Sequence, residues 1–370
     1  MTRLTLLVAL FICCSTSLAD ESQADTRPGI APDIRDDETG LKVQRGNFVA
    51  VPIPISNPTL DTGLVAGAAY FYPQSNEQQQ RQPASVTAAA GMYTSNNSKA
   101  LGLAQQNYWK DDKWRFTGIV GAADLSLSLL ASDASGDGTS VDWNIKGAFL
   151  NARLSRRLVG HWYGGVFTRL VDANQRIGIA IDEDDTGFDI GDVTAAGLGL
   201  TIEYDSRDMP INSYSGRHFQ LDALFNDESI GSDQTYQSYS AAFQSYHRLS
   251  DSLVLAWDLQ GCMRGSGTPL WDACTVKLRG FSATDYLGRS TVSAQVEARW
   301  QLSKRWGLAG FAGSGLAGDL FSDIREHESI PSYGVGLRFS VLAAKRINMR
   351  LDFARSLHSE AIHFTVGEAF

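Results

Sequence analysis

The segment 291–301 alternates without a fault. Val292, Ala294, Val296, Ala298 and Trp300 fall on one face, and Ser293, Gln295, Glu297, Arg299 and Gln301 on the other. A β-strand repeats every two residues, so such a stretch presents one apolar and one polar surface. The division recurs in Leu253, Leu255, Trp257 and Leu259 against Asp258 and Gln260, and in Ile347, Met349, Leu351 and Phe353 against Asn348, Arg350 and Asp352. The last segment places Ile362, Phe364, Val366 and the terminal Phe370 on one face.

About sixteen segments share this pattern: 47–56, 62–72, 83–95, 98–110, 113–125, 140–155, 160–171, 192–205, 216–226, 235–249, 251–263, 288–302, 304–315, 332–343, 345–356 and 359–370. Roughly ten alternating residues, tilted, cross a bilayer with lipid on one face and water on the other. The expected fold is all-β, a transmembrane antiparallel β-barrel. The links sort by length. Asp111-Asp112, Ser155–Arg157, Ser250-Asp251, Ser303-Lys304 and Ala344-Lys345 are tight, whereas 126–139, 172–191, 264–287 and 316–331 are long. Outer-membrane barrels have short periplasmic turns and longer external loops. The 73–82 and 206–215 links are longer than that rule expects of periplasmic turns.

Composition agrees. With 35 Gly, 10 Pro and 10% aromatic residues, strands are favoured over a helical bundle. No run is long and apolar enough for a spanning helix, and the net charge of −9 speaks against a nucleic-acid partner.

At the N-terminus, Arg3, the apolar run Leu4–Ile12 and the small-residue site Ser17-Leu18-Ala19 read as a signal peptide over 1–19. Residues 20–46 are polar and aperiodic, a flexible periplasmic segment too short to fold alone. The barrel takes 47–370, and the expected location is the outer membrane of a Gram-negative cell. Beyond the signal peptide, Cys262 and Cys274 remain. In an oxidising compartment they suit a disulfide across one surface loop, two unpaired thiols being the alternative. No His lies nearby, so no metal site is expected.

Several motifs resemble those of the BamA/TamA-like outer-membrane barrels, the bacterial surface antigen family. Lys277-Leu278-Arg279-Gly280-Phe281 resembles the family's Arg-Gly-aromatic element, with Tyr286-Leu287-Gly288 after it and Glu297-Ala298-Arg299 in the next strand. Tyr204-Asp205-Ser206-Arg207-Asp208, followed by Pro210 and Gly216, is similar to its periplasmic-turn motif, and Gly367-Glu368-Ala369-Phe370 to its aromatic-ended assembly signal. The resemblance implies that the loop carrying Arg279, Gly280 and Phe281 folds back into the lumen. A buried guanidinium needs a partner, and Glu297, on the polar face, is the natural one. Phe311-Ala312-Gly313 carries Gly where the family has Asp, so the loop Arg loses one expected acid. The 20–46 segment cannot hold the periplasmic domains of the assembly machines, which implies a barrel-only branch without POTRA domains.

Other signals are discounted. Gly313–Gly318 fits G-x-G-x-x-G but opens no helix. Asp182, Glu183, Asp184, Asp185, Asp189 and Asp192 lack the closing Glu of an EF-hand and suit a solvated acidic loop. No catalytic set and no cofactor are expected. The resemblance implies help in inserting or exporting proteins or lipids through a weak seam between the first and last strands. Pro52 and Pro54 fit such a seam, since each removes a ladder donor. Partners would be outer-membrane lipids, the assembly machinery during biogenesis and a secreted or periplasmic protein. The alternatives are a passive pore lined by Arg299, Arg350, Asp352 and Glu203, and a structural barrel that forms homo-oligomers.

Overall fold

The alternation closes into a ring. The computed structural model describes residues 46–79, 81–132, 138–181, 184–209, 212–319, 328–342, 346–357 and 359–370. Residues 1–19, expected to be a signal peptide, and all of 20–45, with Pro210, Asp182 and Glu183, lie outside them. In chain order the strands are β1 (Asn47–Asn57), β2 (Asp61–Phe71), β3 (Val86–Thr94), β4 (Lys99–Trp109), β5 (Trp114–Ser132), β6 (Gly138–Val159), β7 (Trp162–Ile181), β8 (Asp184–Asp205) and β9 (Gly216–Asn226). They continue with β10 (Tyr236–Arg248), β11 (Leu253–Arg264), β12 (Cys274–Thr275), β13 (Leu287–Gly288), β14 (Ser290–Gln301), β15 (Trp306–Gly318), β16 (Ile330–Leu342), β17 (Ile347–Arg355) and β18 (Glu360–Val366). All but β12 and β13 form one closed antiparallel barrel of sixteen strands, in which β11 pairs directly with β14 and β18 meets β1. β12 and β13 are a separate two-residue ladder inside the long connection between β11 and β14.

The outer face is apolar and ends in an aromatic belt. Leu101, Leu103, Val166, Leu198, Leu200, Val335 and Ile362 are exposed. Tyr70 with Tyr72, Trp162 with Tyr204, and Trp306 with Phe339 pack as ring pairs near the short-turn end, at centroid distances of 5.2, 5.1 and 4.9 Å. Such rings suit an interface between hydrocarbon and water.

Two features depart from the sequence reading. First, the segments 126–139 and 172–191 are largely strand rather than loop. β5, β6, β7 and β8 run for 19, 22, 20 and 22 residues, with pairing continuing to Ser132↔Gly138 and Ile181↔Asp184. Only about ten residues are needed to cross a membrane, so these strands rise about 30 Å beyond the neighbouring rim along their own direction. The acidic residues Asp184, Asp185, Asp189 and Asp192 belong to β8. Second, the interior is not uniformly polar. Ile53, Ile55, Leu60, Val65, Met92, Leu125, Leu127 and Trp143 form one buried apolar cluster, with Trp271 of the long connection packed against it. That part of the lumen is packed with side chains, so its inward residues are chosen for close contact rather than for hydration.

The link 72–85 holds a short helix, Asn76–Gln79. The strand β18 ends at Val366, and Gly367 turns the chain with φ of 98°. Phe370 therefore does not continue the face of Ile362 and Phe364. It lies inside the barrel mouth, with the Arg299 guanidinium 5.4 Å from its ring centroid.

Candidate functional site

Alternation in β14 brings Ser293, Gln295, Glu297 and Arg299 to the inner face, all buried. A carboxylate removed from water is costly unless donors surround it. Three guanidiniums do so for Glu297. Arg279 lies 2.6 Å away, Arg299 2.7 Å and Arg338 of β16 3.4 Å.

Arg279 comes from the connection 265–286, which folds back into the lumen. Its Nη1 is also 2.7 Å from Asp352 Oδ2 on β17, and its Nη2 donates to Gln295 Oε1 at 2.5 Å. The guanidinium plane sits 3.3 Å from the centroid of the Phe311 ring. The fork thus meets acids at its edge and an aromatic ring at its face, which suits a delocalised planar cation. Backbone contacts add to the grip, for Ser332 Oγ donates to the Arg279 carbonyl at 2.5 Å and Ser359 Oγ to the Gly280 carbonyl at 2.8 Å. Gly280 has φ of 108°, and a Cβ there would press on the Arg355 backbone at 3.1 Å. Phe281 is buried with Val276 and Ile330, edge-on to Tyr286 at 4.9 Å.

The acid missing beside Phe311 is made up from another strand. Gly313 stands in the expected place, and a Cβ there would come within 2.9 Å of Leu278 Cδ2, while one on Gly315 would run into Val276. The small residues of β15 make room for the loop, and the second carboxylate comes from Asp352. This also accounts for Gly313 and Gly315 in the glycine-rich stretch.

The ion network reaches the C-terminus. Arg338 bridges Asp352 at 2.5 Å and Glu368 at 2.7 Å. Asn348 Nδ2 donates to Glu368 at 2.8 Å, and Arg299 Nη2 to the main-chain oxygen of Phe370 at 2.7 Å. The last four residues are therefore tied to the cluster that holds the loop. Cys262 on β11 and Cys274 on β12 form a disulfide that closes the base of the connection.

Asp205, Arg207 and Asp208 build the β8–β9 turn. Asp205 accepts from Arg207 Nε at 2.9 Å and Nη2 at 3.0 Å. Asp208 accepts from the backbone N–H of Tyr214 at 3.0 Å and lies 2.6 Å from Arg346 in the β16–β17 turn. These three residues organise the short-turn end of the barrel.

Among the described residues, one grouping has metal-ligand proximity: Glu203, Asp205 and His218, with ligand atoms within 4.8 Å. Its carboxylates already face cations, Arg207 at 2.9 Å from Asp205 and Arg115 at 3.6 Å from Glu203. The chemistry is that of an ion-pair cluster.

Sequence reasoning placed Glu297 and Asp352 on inward faces but did not join Asp352 to Arg279, nor foresee Arg338 or Glu368 as partners. Alternation tells which face a residue takes and says nothing of which inward residues meet across the lumen.

The model of the Omp85 superfamily domain matches residues 82–370. Among solved structures, BamA from Haemophilus ducreyi lacking POTRA domains 1–3 is similar, with a TM-score of 0.56 and 12% identity over 88% of this chain and 70% of that one. CdiB from Acinetobacter baumannii is similar with a TM-score of 0.56 and 11% identity over 88% and 60%. CdiB from Escherichia coli follows with 0.54 and 10% over 89% and 63%. At such identities the likeness is one of fold, and this chain spans 60% to 70% of the length of those chains. No curated protein sequence matches.

Proposed function

The chain belongs to the Omp85 superfamily, and from that premise we propose that it is an outer-membrane barrel that inserts or exports proteins by opening the seam between β1 and β18. One observation carries the reading. Among the described residues, every other pair of neighbouring barrel strands is joined by a ladder of at least seven residue pairs, whereas β1 meets β18 at the single pair Ser56↔Phe364. Pro52 and Pro54 are two apart, so their missing donors point to the same edge. The ladder from β1 to β2 runs unbroken past both. An edge with few hydrogen bonds is a template on which another strand can pair.

In this reading the short-turn end faces the periplasm, residues 1–19 leave as a signal peptide and 20–46 remain on the periplasmic side. The partners are outer-membrane lipids and a client polypeptide, with Phe370 read by the assembly machinery before the barrel closes. A passive pore is less well supported, because Arg299 and Asp352, offered as lumen lining, are bonded within the cluster that holds the loop. The test is a crosslink between Ser56→Cys and Phe364→Cys in the parent bacterium. Locking the seam is expected to lower the yield of folded outer-membrane or secreted proteins. An unchanged yield with a fully crosslinked barrel would sink the reading.

A further inference from the structure

The connection 265–286 grips the wall in more than one place. Its 3₁₀ turn Leu270–Asp272 carries a carboxylate with no solvent exposure. Arg169 of β7 donates to Asp272 through Nη1 at 2.9 Å and Nη2 at 2.6 Å. Tyr236 and Ser238 of β10 donate at 3.0 and 3.3 Å, and Arg264 of β11 at 3.4 Å. Arg264 Nε also donates to the Asp272 carbonyl at 2.8 Å. Burial alone would raise this carboxyl, but Arg169 and Arg264 hold it well below the usual carboxylate range. Next to it, Trp271 packs against the apolar cluster around Trp143 and against a second one of Val171, Ala173 and Ala195, with the Arg169 guanidinium 5.4 Å from its ring.

These partners lie on a different arc from those of Arg279. Asp272 is held by β7, β10 and β11, and Arg279 by β14 and β17. The two are seven positions apart, a stretch of chain that reaches at most about 25 Å when extended, enough to span between the arcs. Neither anchor shares a partner with the other, and contacts without shared partners act independently.

We propose that Asp272 is a second anchor of the lumen loop, a positioning residue that keeps the loop across the barrel when Arg279 is released. The lumen then stays shut through any rearrangement of the Arg279 cluster. This goes beyond the seam reading and does not depend on it.

The test uses the purified full chain with its disulfide reduced, in planar bilayers, with a shift in electrophoretic mobility on heating as the check of folding. Arg279→Ala is expected to conduct as the parent does. Combining it with Asp272→Asn and Arg169→Gln, which removes both charges of the second pair, is expected to raise conductance several-fold. Arg279→Ala alone matching the triple variant, or a folded triple variant conducting like the parent, would overturn the proposal. Should the triple variant not fold, hydrogen–deuterium exchange on Arg279→Ala decides. Protection is expected to fall over 277–285 and to persist over 270–274, and a joint loss in both segments refutes the second anchor.

Discussion

Arg279 and Asp352 lie 73 residues apart in the chain and 2.7 Å apart in space. The loop that leaves β11 thereby reaches past β14, β15 and β16 to a carboxylate on β17. The same Asp352 is held from its other oxygen by Arg338, so the loop joins a network that already exists on the wall.

That sharing makes both carboxylates costly to neutralise. Glu297 serves three guanidiniums, so Glu297→Gln leaves three buried cations short of an acid. Breaking a buried pair costs about 3–5 kcal/mol. Asp352 likewise faces three guanidiniums, those of Arg279, Arg338 and Arg350, so urea unfolding of the refolded barrel is expected to show a loss of that order for Glu297→Gln and Asp352→Asn alike. Arg279→Lys is expected to behave more like Arg279→Ala than like the parent, because an ammonium cannot present the planar fork.

The glycines of β15 are expected to differ by position. A Cβ on Gly315 would run into Val276, and one on Gly310 would meet nothing within 4 Å. Gly315→Ala should therefore cost about 1–3 kcal/mol by overpacking, with Gly310→Ala near neutral. Thermal unfolding of the two variants in parallel checks this.

Reduction of the Cys262–Cys274 disulfide removes a link of sequence separation 12. Closing a loop of that size stabilises by about 3 kcal/mol in the chain-entropy account. The urea midpoint should fall on reduction while the folded barrel persists, because β11 still pairs with β14 along its whole length. Cys262→Ser with Cys274→Ser should reproduce the reduced behaviour and be blind to reductant.

Phe370 contributes its main-chain oxygen to Arg299, a bond that survives loss of the side chain. Phe370→Ala should refold in detergent to a barrel of near-parental stability, yet accumulate less in the outer membrane of living cells if the ring is read before closure. Equal accumulation in cells would remove the assembly role from the side chain.

The barrel itself was legible because its cause is local. Each strand needs apolar residues at every second position, and the pattern in 291–301 or 347–353 states that without reference to any other part of the chain. The strand number and the family follow from such segments and from Arg279-Gly280-Phe281 in its setting. What the sequence concealed is non-local. The segments 126–132 and 172–181 became strand because they pair above the rim with 138–144 and 184–194, not because their composition demands it. The terminal Phe370 turned inward because Gly367 breaks the ladder and Glu368 finds Arg338. Asp352 takes the role that Gly313 vacated, and Asp272 finds Arg169 across 103 residues of chain. Alternation decides inside from outside, and only closure of the ring decides which inside residues share a lumen wall closely enough to neutralise one another's charge.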